Sequence, residues 1–245
     1  MIRILAVLST LLVGTAAAQA QSFGLEGLLP QGGASASGRI VQIVAMLTVL
    51  SVAPGLLMMV TSFSRFVIAL SFLRSGLGLQ STPANLILVS LALFMTFFVM
   101  APTFDKAWQE GVLPLVENRI SEGEAYAKIT APFRDFMLAQ TRPQDLRLFA
   151  DLAPESIRPQ DPAQAVDLRV LIPSFMISEL RRAFEIGFLI ALPFLVIDMI
   201  VATIVMSMGM MMLPPTVISL PFKVIFFVLI DGWNLLIGGL VRSFS

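Results

Sequence analysis

The stretch Met206-Ser207-Met208-Gly209-Met210-Met211-Met212-Leu213-Pro214-Pro215 lies between two long apolar runs, residues 186–205 and 216–241. Five of its ten residues are methionine, and none is charged. Proline lacks a backbone donor and fixes φ, so we expect no regular helix to pass through Pro214 and Pro215. The stretch therefore predicts an uncharged turn between two apolar helices. On spacing alone, methionine as a filler of irregular gaps is the simplest interpretation. A hydrophobic constriction that holds back ions is the alternative.

The composition of the whole chain is that of a membrane protein. The 245 residues are 57% hydrophobic and 13% charged, whereas soluble domains average about 25% charged residues. The formal net charge is zero, so the chain has no overall field that would attract nucleic acid. It contains neither cysteine nor histidine, which excludes disulfides, thiol nucleophiles, the usual zinc sites and histidine acid–base chemistry. No nucleotide-binding or hydrolase motif occurs. We therefore expect no enzyme and no cofactor or metal.

The N-terminus has the pattern of a secretory signal peptide. Arg3 supplies a short positive region, residues 4–13 are apolar, and Ala18-Gln19-Ala20 fits an A-x-A cleavage site. The apolar run is shorter than the roughly 20 residues that a membrane span needs. We expect cleavage between Ala20 and Gln21, which would leave the mature N-terminus outside the cytoplasm. Residues 1–20 are thus predicted to be a signal peptide, and residues 21–38 a flexible lead rich in glycine and serine.

Residues 39–104 are predicted to form a first helical hairpin. Its apolar runs are 40–63 and 84–104, and Pro54 with Gly55 should kink or break the first helix. Between the runs lie Arg65 and Arg74 and no acidic residue. Short loops with excess arginine stay cytoplasmic, so these two residues are most simply charges that set the topology.

Residues 105–185 form a polar segment that we expect to be helical and extracytoplasmic. Of the 32 charged residues in the chain, 23 fall in this range. Pro132 can begin a helix here, and a loop is expected over 153–167, which holds three further prolines. Two narrow apolar faces follow a spacing of three or four residues, and we expect them to pack on neighbouring helices. Their members are Phe133, Phe136, Met137, Leu146, Phe149 and Leu152.

Another helix is predicted from Pro173, and charged side chains cluster near its start. Glu179 and Arg182 are three residues apart and can pair locally, or they can pair between subunits.

Further along, Asp198 and Lys223 interrupt the two apolar runs of a second hairpin, residues 186–245. A charge at bilayer depth costs about 2.5–3.5 kcal/mol on insertion scales, so each needs a partner or a cavity. A pore component and a small-solute transporter that uses Asp198 and Lys223 both fit this pattern.

Several long motifs make the chain resemble the FliP family of flagellar type III export gate proteins, whose injectisome counterpart is SctR. The similar segments cover most of residues 55–104 and 175–235 and occur in the family's order. They are Met58-Met59-Val60-Thr61-Ser62-Phe63-Ser64-Arg65, Pro83-Ala84-Asn85, Glu179-Leu180, Ala183-Phe184-Glu185-Ile186-Gly187-Phe188, Pro193-Phe194-Leu195-Val196-Ile197-Asp198, Met208 to Pro215, Ser219-Leu220-Pro221-Phe222-Lys223 and Asp231-Gly232-Trp233. The signal peptide is also typical of that family.

The resemblance implies an assembly and a role for the methionines. Five FliP-like copies would join FliQ-like and FliR-like subunits and further membrane proteins of the export apparatus in the bacterial inner membrane. They would surround a conduit for unfolded secreted flagellar proteins. Met210, Met211 and Met212 match the family's gasket loop, which seals the closed pore. The expected fold is all-α, with four long, bent apolar helices in two hairpins and a polar periplasmic segment. Asp198 and Lys223 would then meet within or between subunits, shielded by protein.

Overall fold

A computed structural model describes residues 36–79, 82–158, 166–209 and 214–244. In these ranges the chain is helical and has no strand, which confirms the predicted all-α class. The predicted cleavage site at Ala20 and Gln21 lies outside the described residues, and so do Met210, Met211 and Met212.

The described residues form nine α-helices, and a π-helical turn, Trp108–Val112, joins the third to the fourth. Residues 1–51 and 52–245 are separate units, and every contact described below lies within the second unit. The helices are α1 Ala36–Met59, α2 Phe63–Gly76, α3 Asn85–Ala107, α4 Leu113–Val116, α5 Glu122–Gln140, α6 Pro143–Leu152, α7 Leu168–Ser207, α8 Pro215–Leu229 and α9 Gly232–Arg242.

Two helical stretches of the described residues are long and apolar enough to cross a membrane. A third such stretch exists if α8 and α9 are taken together as one span. Asn85–Val116 has 32 residues and Leu168–Ser207 has 40. Helices α8 and α9 form a third only as one broken span, because they meet at 66°. Asp231 sits at this break with a left-handed backbone, φ 51°, and ends the regular hydrogen-bond ladder. Four long apolar helices are therefore not confirmed.

Helix α1 does not break where the sequence suggested. It continues through Pro54 to Met59, and the chain turns at residues 60–62 instead. A proline removes a single backbone donor, and an apolar helix can continue past that loss. A break at Pro54 is thus wrong, whereas a kink there stays a prediction, and among the described residues the chain turns just before α2.

Helix α5 begins well before the predicted start at Pro132. Ser121 caps it: the backbone N–H of Glu124 donates to the Ser121 hydroxyl at 3.4 Å, and the Ser121 N–H donates to the Glu124 carboxylate at 3.0 Å. This is a capping box, in which two orphan donors of the first turn are satisfied reciprocally. Pro132 lies inside the helix and is buried. The Ser-x-x-Glu pattern is the sequence signal for this start, which the prediction from Pro132 overlooked.

Helix α7 is one continuous helix where the sequence suggested two segments. Asp167 caps its start by accepting the Arg169 N–H at 2.8 Å, and the helix runs through Pro173 and Pro193. Its 40 residues correspond to about 60 Å at 1.5 Å per residue. The helix crosses the predicted boundary between residues 185 and 186, so the polar segment and the second hairpin share it.

The main core forms where α2 packs along α7 and α3, with α8 and α9 closing the other side. A Cβ on Gly187 of α7 would lie 2.5 Å from the ring of Phe72 on α2, so the close crossing of these helices requires glycine. A smaller cluster joins Met137 of α5 to Leu171 and Phe175 of α7. The main cluster consists of Phe63, Phe66, Ala69, Leu70, Leu73, Leu77, Leu88, Ala92, Phe194, Phe227, Leu236 and Leu240.

Candidate functional site

Asp198 and Lys223 form an ion pair between α7 and α8, in which the lysine is buried and the aspartate side chain is 26% exposed. Lys223 Nζ lies 2.6 Å from Asp198 Oδ2, and the lysine is 3% exposed. The Ser219 hydroxyl, one helical turn before Lys223, donates to Asp198 Oδ1 at 2.5 Å. The structure thus brings the two charges together inside one chain, where protein shields the lysine and part of the aspartate. A role of this pair in assembly stays a prediction.

Lys223 also reaches a third helix. Its Nζ donates to the backbone carbonyl of Gly76 at 3.0 Å, where α2 ends. The last carbonyls of a helix have no partner within the helix and carry partial negative charge, so an ammonium stabilises them. Gly78, just beyond, has φ +78° and turns the chain away. One side chain therefore joins the end of α2 to both helices of the second hairpin.

Arg65 lies in a helix and not in a loop between helices. It lies in the first turn of α2, is fully buried, and pairs with the fully buried Glu179 of α7. Its Nε donates to Glu179 Oε2 at 2.9 Å, and its Nη2 donates to the other carboxylate oxygen. The planar guanidinium can satisfy both oxygens of a carboxylate at once, which makes arginine the cation suited to a buried pair. Arg65 therefore has a buried partner that was not predicted, and its part in setting the topology stays a prediction.

The predicted local pair of Glu179 with Arg182 does not form. Glu179 turns to Arg65, and Arg182 Nη1 donates to Gln140 Oε1 of α5 at 2.9 Å. The neighbouring Arg181 pairs with Glu185 one turn ahead at 2.8 Å, on the exposed face. The four charged residues of this cluster therefore lie on two faces of α7. Glu179 and Arg182 lie on the face that contacts α2 and α5, and Arg181 and Glu185 lie on the exposed face.

Arg74 lies in the last turn of α2. It donates to the side chain of Asn85, the first residue of α3. The two arginines of the first hairpin therefore differ: Arg65 is buried at the start of α2, and Arg74 links its end to the next helix.

A third charged cluster, which was not predicted from the sequence, joins α6 to α7. Arg142 donates twice to the buried carboxylate of Asp145, at 2.8 and 2.9 Å, and the Ser178 hydroxyl donates to it at 2.6 Å. The backbone N–H of Arg142 donates to the Ser178 hydroxyl at 3.0 Å. The hydrogen bonds from Arg142 hold the pKa of Asp145 below its usual value, although burial acts in the opposite direction. An acidic residue in the first turn of a helix, as Asp145 is in α6, was the available signal.

An apolar groove of about 460 Å³ lies between α7 and α8, at the ends that lead to the methionine-rich stretch. None of its lining side chains is charged, so it offers an ion no strong ligand. The lining residues are Ile197, Ile200, Val201, Ile204, Val205, Met208, Ile218, Phe222 and Phe226.

Large apolar side chains also cover the outer faces of α3, α7 and α8. Phe94 and Phe98 on α3 are 70% and 68% exposed, and Leu229 on α8 is 79% exposed. Patches of this extent mark surfaces that meet lipid or other protein. In the described ranges, no group of acidic side chains is arranged to hold a metal ion.

The chain resembles known proteins over its full length. The sequence model of the FliP family matches residues 46–240. Flagellar biosynthetic protein FliP of Agrobacterium fabrum (strain C58 / ATCC 33970) is 61% identical over 245 residues, which is 100% of both chains. The protein of the same name from Rhizobium meliloti (strain 1021) is 59% identical over 244 residues, again 100% of both. That of Bacillus subtilis (strain 168) is 51% identical over 208 residues, which is 83% of this chain and 91% of its own.

Proposed function

Because the chain belongs to the FliP family, we propose that it is a core subunit of the flagellar type III export gate. Five copies assemble with FliQ-like and FliR-like subunits in the bacterial inner membrane, within the flagellar basal body. The assembly surrounds a conduit for unfolded flagellar proteins, and further membrane proteins of the export apparatus adjoin it. The polar segment is periplasmic. This family is a structural part of the flagellar apparatus and not an enzyme family.

The family match carries this proposal, and the exposed apolar faces support it. A helix of about 60 Å is twice the thickness of the hydrocarbon core of a bilayer, about 30 Å. Lipid alone therefore cannot cover the whole length of an upright α7, and neighbouring subunits can cover the part that lies outside the hydrocarbon. Asp198 and Lys223 bind each other, so neither is left free to serve as the charge of a solute site. This observation favours the gate over the small-solute transporter.

We propose further that Met210, Met211 and Met212 form one subunit's share of a ring that seals the closed conduit. Thioethers present no charge and are poor ligands for ions, and flexible methionine side chains can re-pack around a passing chain. The apolar groove between α7 and α8 supports this proposal, because its lining includes Met208, two residues before Met210 in the sequence. The seal requires several copies around one axis, so it does not exist in a single chain.

Replacing all three methionines by alanine tests the seal. Alanine lacks the reach to close the ring, so we expect ions to leak through the assembled gate in the closed state. Ion conductance across membranes that contain the gate measures the leak, and growth in high salt measures its effect in cells. Native mass spectrometry of the purified complex shows whether the variant assembles and reports its stoichiometry.

A matched control replaces Met58, Met59 and Met199 by alanine, since these three methionines are exposed and belong to other parts of the sequence. This control should not leak. If the variant of the loop assembles fully and conducts no more than the control, the gasket role is wrong. If no hetero-oligomer is found with the unaltered chain, the gate proposal itself is wrong.

A further inference from the structure

The segment that follows α9 is seated on the buried guanidinium of Arg65. Arg65 Nη1 donates to the backbone carbonyl of Ser243 and to the Ser243 hydroxyl, both at 2.8 Å. The Phe244 ring covers the guanidinium face, with Arg65 Cζ 3.5 Å from the ring centroid. A cation over an aromatic face is attracted by the ring quadrupole, most strongly where water is excluded. Hydrogen bonds and the ring therefore hold this segment, residues 243–244, which we call the tail.

Two other helices complete the seat of the tail. Gln140 Nε2, at the end of α5, donates to the Phe244 carbonyl at 3.3 Å. The Phe244 ring lies 5.6 Å from the Phe66 ring of α2 and 6.2 Å from the Phe136 ring of α5, centroid to centroid. The tail thus contacts the start of α2 and the end of α5, which are far from it in sequence.

The tail also completes the hydrogen bonding of Arg65. A guanidinium has five N–H donors. Nε and Nη2 donate to Glu179 and Gln140, and within the described residues Nη1 donates only to Ser243. Arg65 is fully buried. Without the tail, the Nη1 donors would lose their acceptors and one face of the cation would lose its cover, and both losses are costly at a buried ion pair.

We infer that residues 243–244 act as a latch and that Arg65 is its receptor. Glu179 and Gln140 position the guanidinium, and the docked tail fixes the far end of α9 to α2 and α5. Helix α8 carries Lys223, and α9 follows it after the bend at Asp231. The latch therefore fixes the last turn of α9, and through α9 it limits how far α8 can move. This inference does not depend on the export role of the chain.

Thiol labelling of the full-length chain tests the latch, because the unaltered chain has no cysteine. Ser243→Cys places a single thiol in the tail and keeps the backbone carbonyl that Arg65 binds. The rate at which a maleimide modifies this thiol, in the membrane-extracted protein, reports how often the tail leaves its seat. Arg65→Lys, added to Ser243→Cys, keeps the positive charge but removes the planar fork that reaches both Glu179 and Ser243. Arg74→Lys, at the other end of α2, is the matched control.

We expect Arg65→Lys to raise the labelling rate of the S243C thiol by about tenfold or more, since charge-assisted hydrogen bonds are lost. Arg74→Lys should leave the rate unchanged. Equal rates with and without Arg65→Lys would overturn the latch, and so would an equal rise with Arg74→Lys.

A second thiol separates release of the tail from general unfolding. Ala183 lies fully buried on α7, so Ala183→Cys, in a chain without the tail thiol, reports the core. With Arg65→Lys, the A183C thiol should stay as protected as it is with Arg74→Lys. If it becomes as reactive as the S243C thiol, then Arg65 supports the core as a whole and the specific role of receptor for the tail is wrong.

Discussion

Lys223 illustrates how a single residue in this chain joins three helices. Its ammonium binds a carboxylate of α7 and a terminal carbonyl of α2, while its own backbone belongs to α8. A lysine and an aspartate in an apolar sequence are costly when alone. Because Lys223 is buried, loss of Asp198 leaves a buried cation without its counter-charge, which is the costly case.

The Asp198–Lys223 pair makes a prediction about charge exchange. Asp198→Lys alone should abolish assembly of the complex, because two cations would face each other in an apolar site. The double exchange, Asp198→Lys with Lys223→Asp, should recover part of the assembled complex and not all of it. Recovery should be partial because the Gly76 carbonyl, which accepts a hydrogen bond from Lys223 in the unaltered chain, would face the carboxylate at position 223 in the double variant. Purification of the complex by way of a partner subunit measures recovery, and no recovery at all would contradict the pairing.

Asp145 predicts an acid-sensitive contribution to stability. Its pKa is lowered in the folded chain by the hydrogen bonds from Arg142. Because the pKa of Asp145 is lower in the folded chain than in the unfolded chain, the ionised carboxylate stabilises the fold. This stabilisation is complete at pH values above the unfolded pKa, about 3.9, and is lost as the pH falls through the folded pKa. Asp145→Asn should therefore lower the Tm at neutral pH, and the difference from the unaltered chain should shrink below about pH 4.

Thermal unfolding of the detergent-solubilised protein at several pH values measures this difference. Asp151→Asn, at the exposed end of the same helix, is the matched control and should lower the Tm at neutral pH less than Asp145→Asn does. A Tm difference between Asp145→Asn and the unaltered chain that does not shrink at all below about pH 4 would contradict the assigned role.

At the scale of elements, α7 organises the molecule, and its partners were only partly predictable from the sequence. The cost of charge at bilayer depth predicted that Asp198 and Lys223 each need a partner or a cavity, and in the structure the two pair with each other. Glu179 has an arginine three residues away, so local spacing pointed to the wrong partner, whereas Arg65 lies 114 residues away.

The prolines mislead sequence-based prediction for a related reason. A missing backbone donor predicts a helix end or start, but Pro132, Pro173 and Pro193 all lie inside helices. Packing against neighbouring helices outweighs the loss of one hydrogen bond. The pattern of a single sequence does not contain that packing, so the length of α7 could not be predicted from it. The start of α5 does have a sequence signal, the Ser-x-x-Glu pattern of Ser121 and Glu124.

The crossing of α2 and α7 gives a prediction at this scale. Gly187→Ala should lower the stability by about 1–3 kcal/mol, as overpacking typically does. The added Cβ would lie 2.5 Å from Cγ and 3.0 Å from Cβ of Phe72, so ring rotation alone cannot relieve the clash. Gly123→Ala in α5 is the matched control, because a Cβ there would meet nothing within 4 Å. The Tm of each purified variant measures the effect, and equal Tm values for the two variants would contradict the close crossing.

At the scale of the whole molecule, the outer apolar faces distinguish stability from assembly. Phe188 on α7 is 55% exposed, whereas Phe175 on the same helix is fully buried in the cluster with α5. The first contributes little to packing within its own chain, and the second contributes a great deal. The two phenylalanines therefore form a matched pair for testing what covers α7.

Phe188→Ala should leave the Tm of the isolated chain nearly unchanged and reduce the yield of the assembled complex. Phe175→Ala should destabilise the chain itself by about 3–5 kcal/mol. Thermal unfolding of the isolated chain and native mass spectrometry of the complex measure the two effects. If Phe188→Ala assembles as well as the unaltered chain, lipid rather than a neighbouring subunit covers this face of α7.

The ion pair between α7 and α8 also has a consequence for how the chain is made. Lys223 follows Asp198 by 25 residues. At a synthesis rate of about 5–20 residues per second, the carboxylate waits roughly 1–5 s for its cation. A lone carboxylate is costly in hydrocarbon, so α7 gains by remaining in the insertion machinery until α8 has emerged. The two helices would then enter the bilayer with this ion pair already formed, and a pause in translation between codons 198 and 223 would prolong the interval in which Asp198 is unpaired.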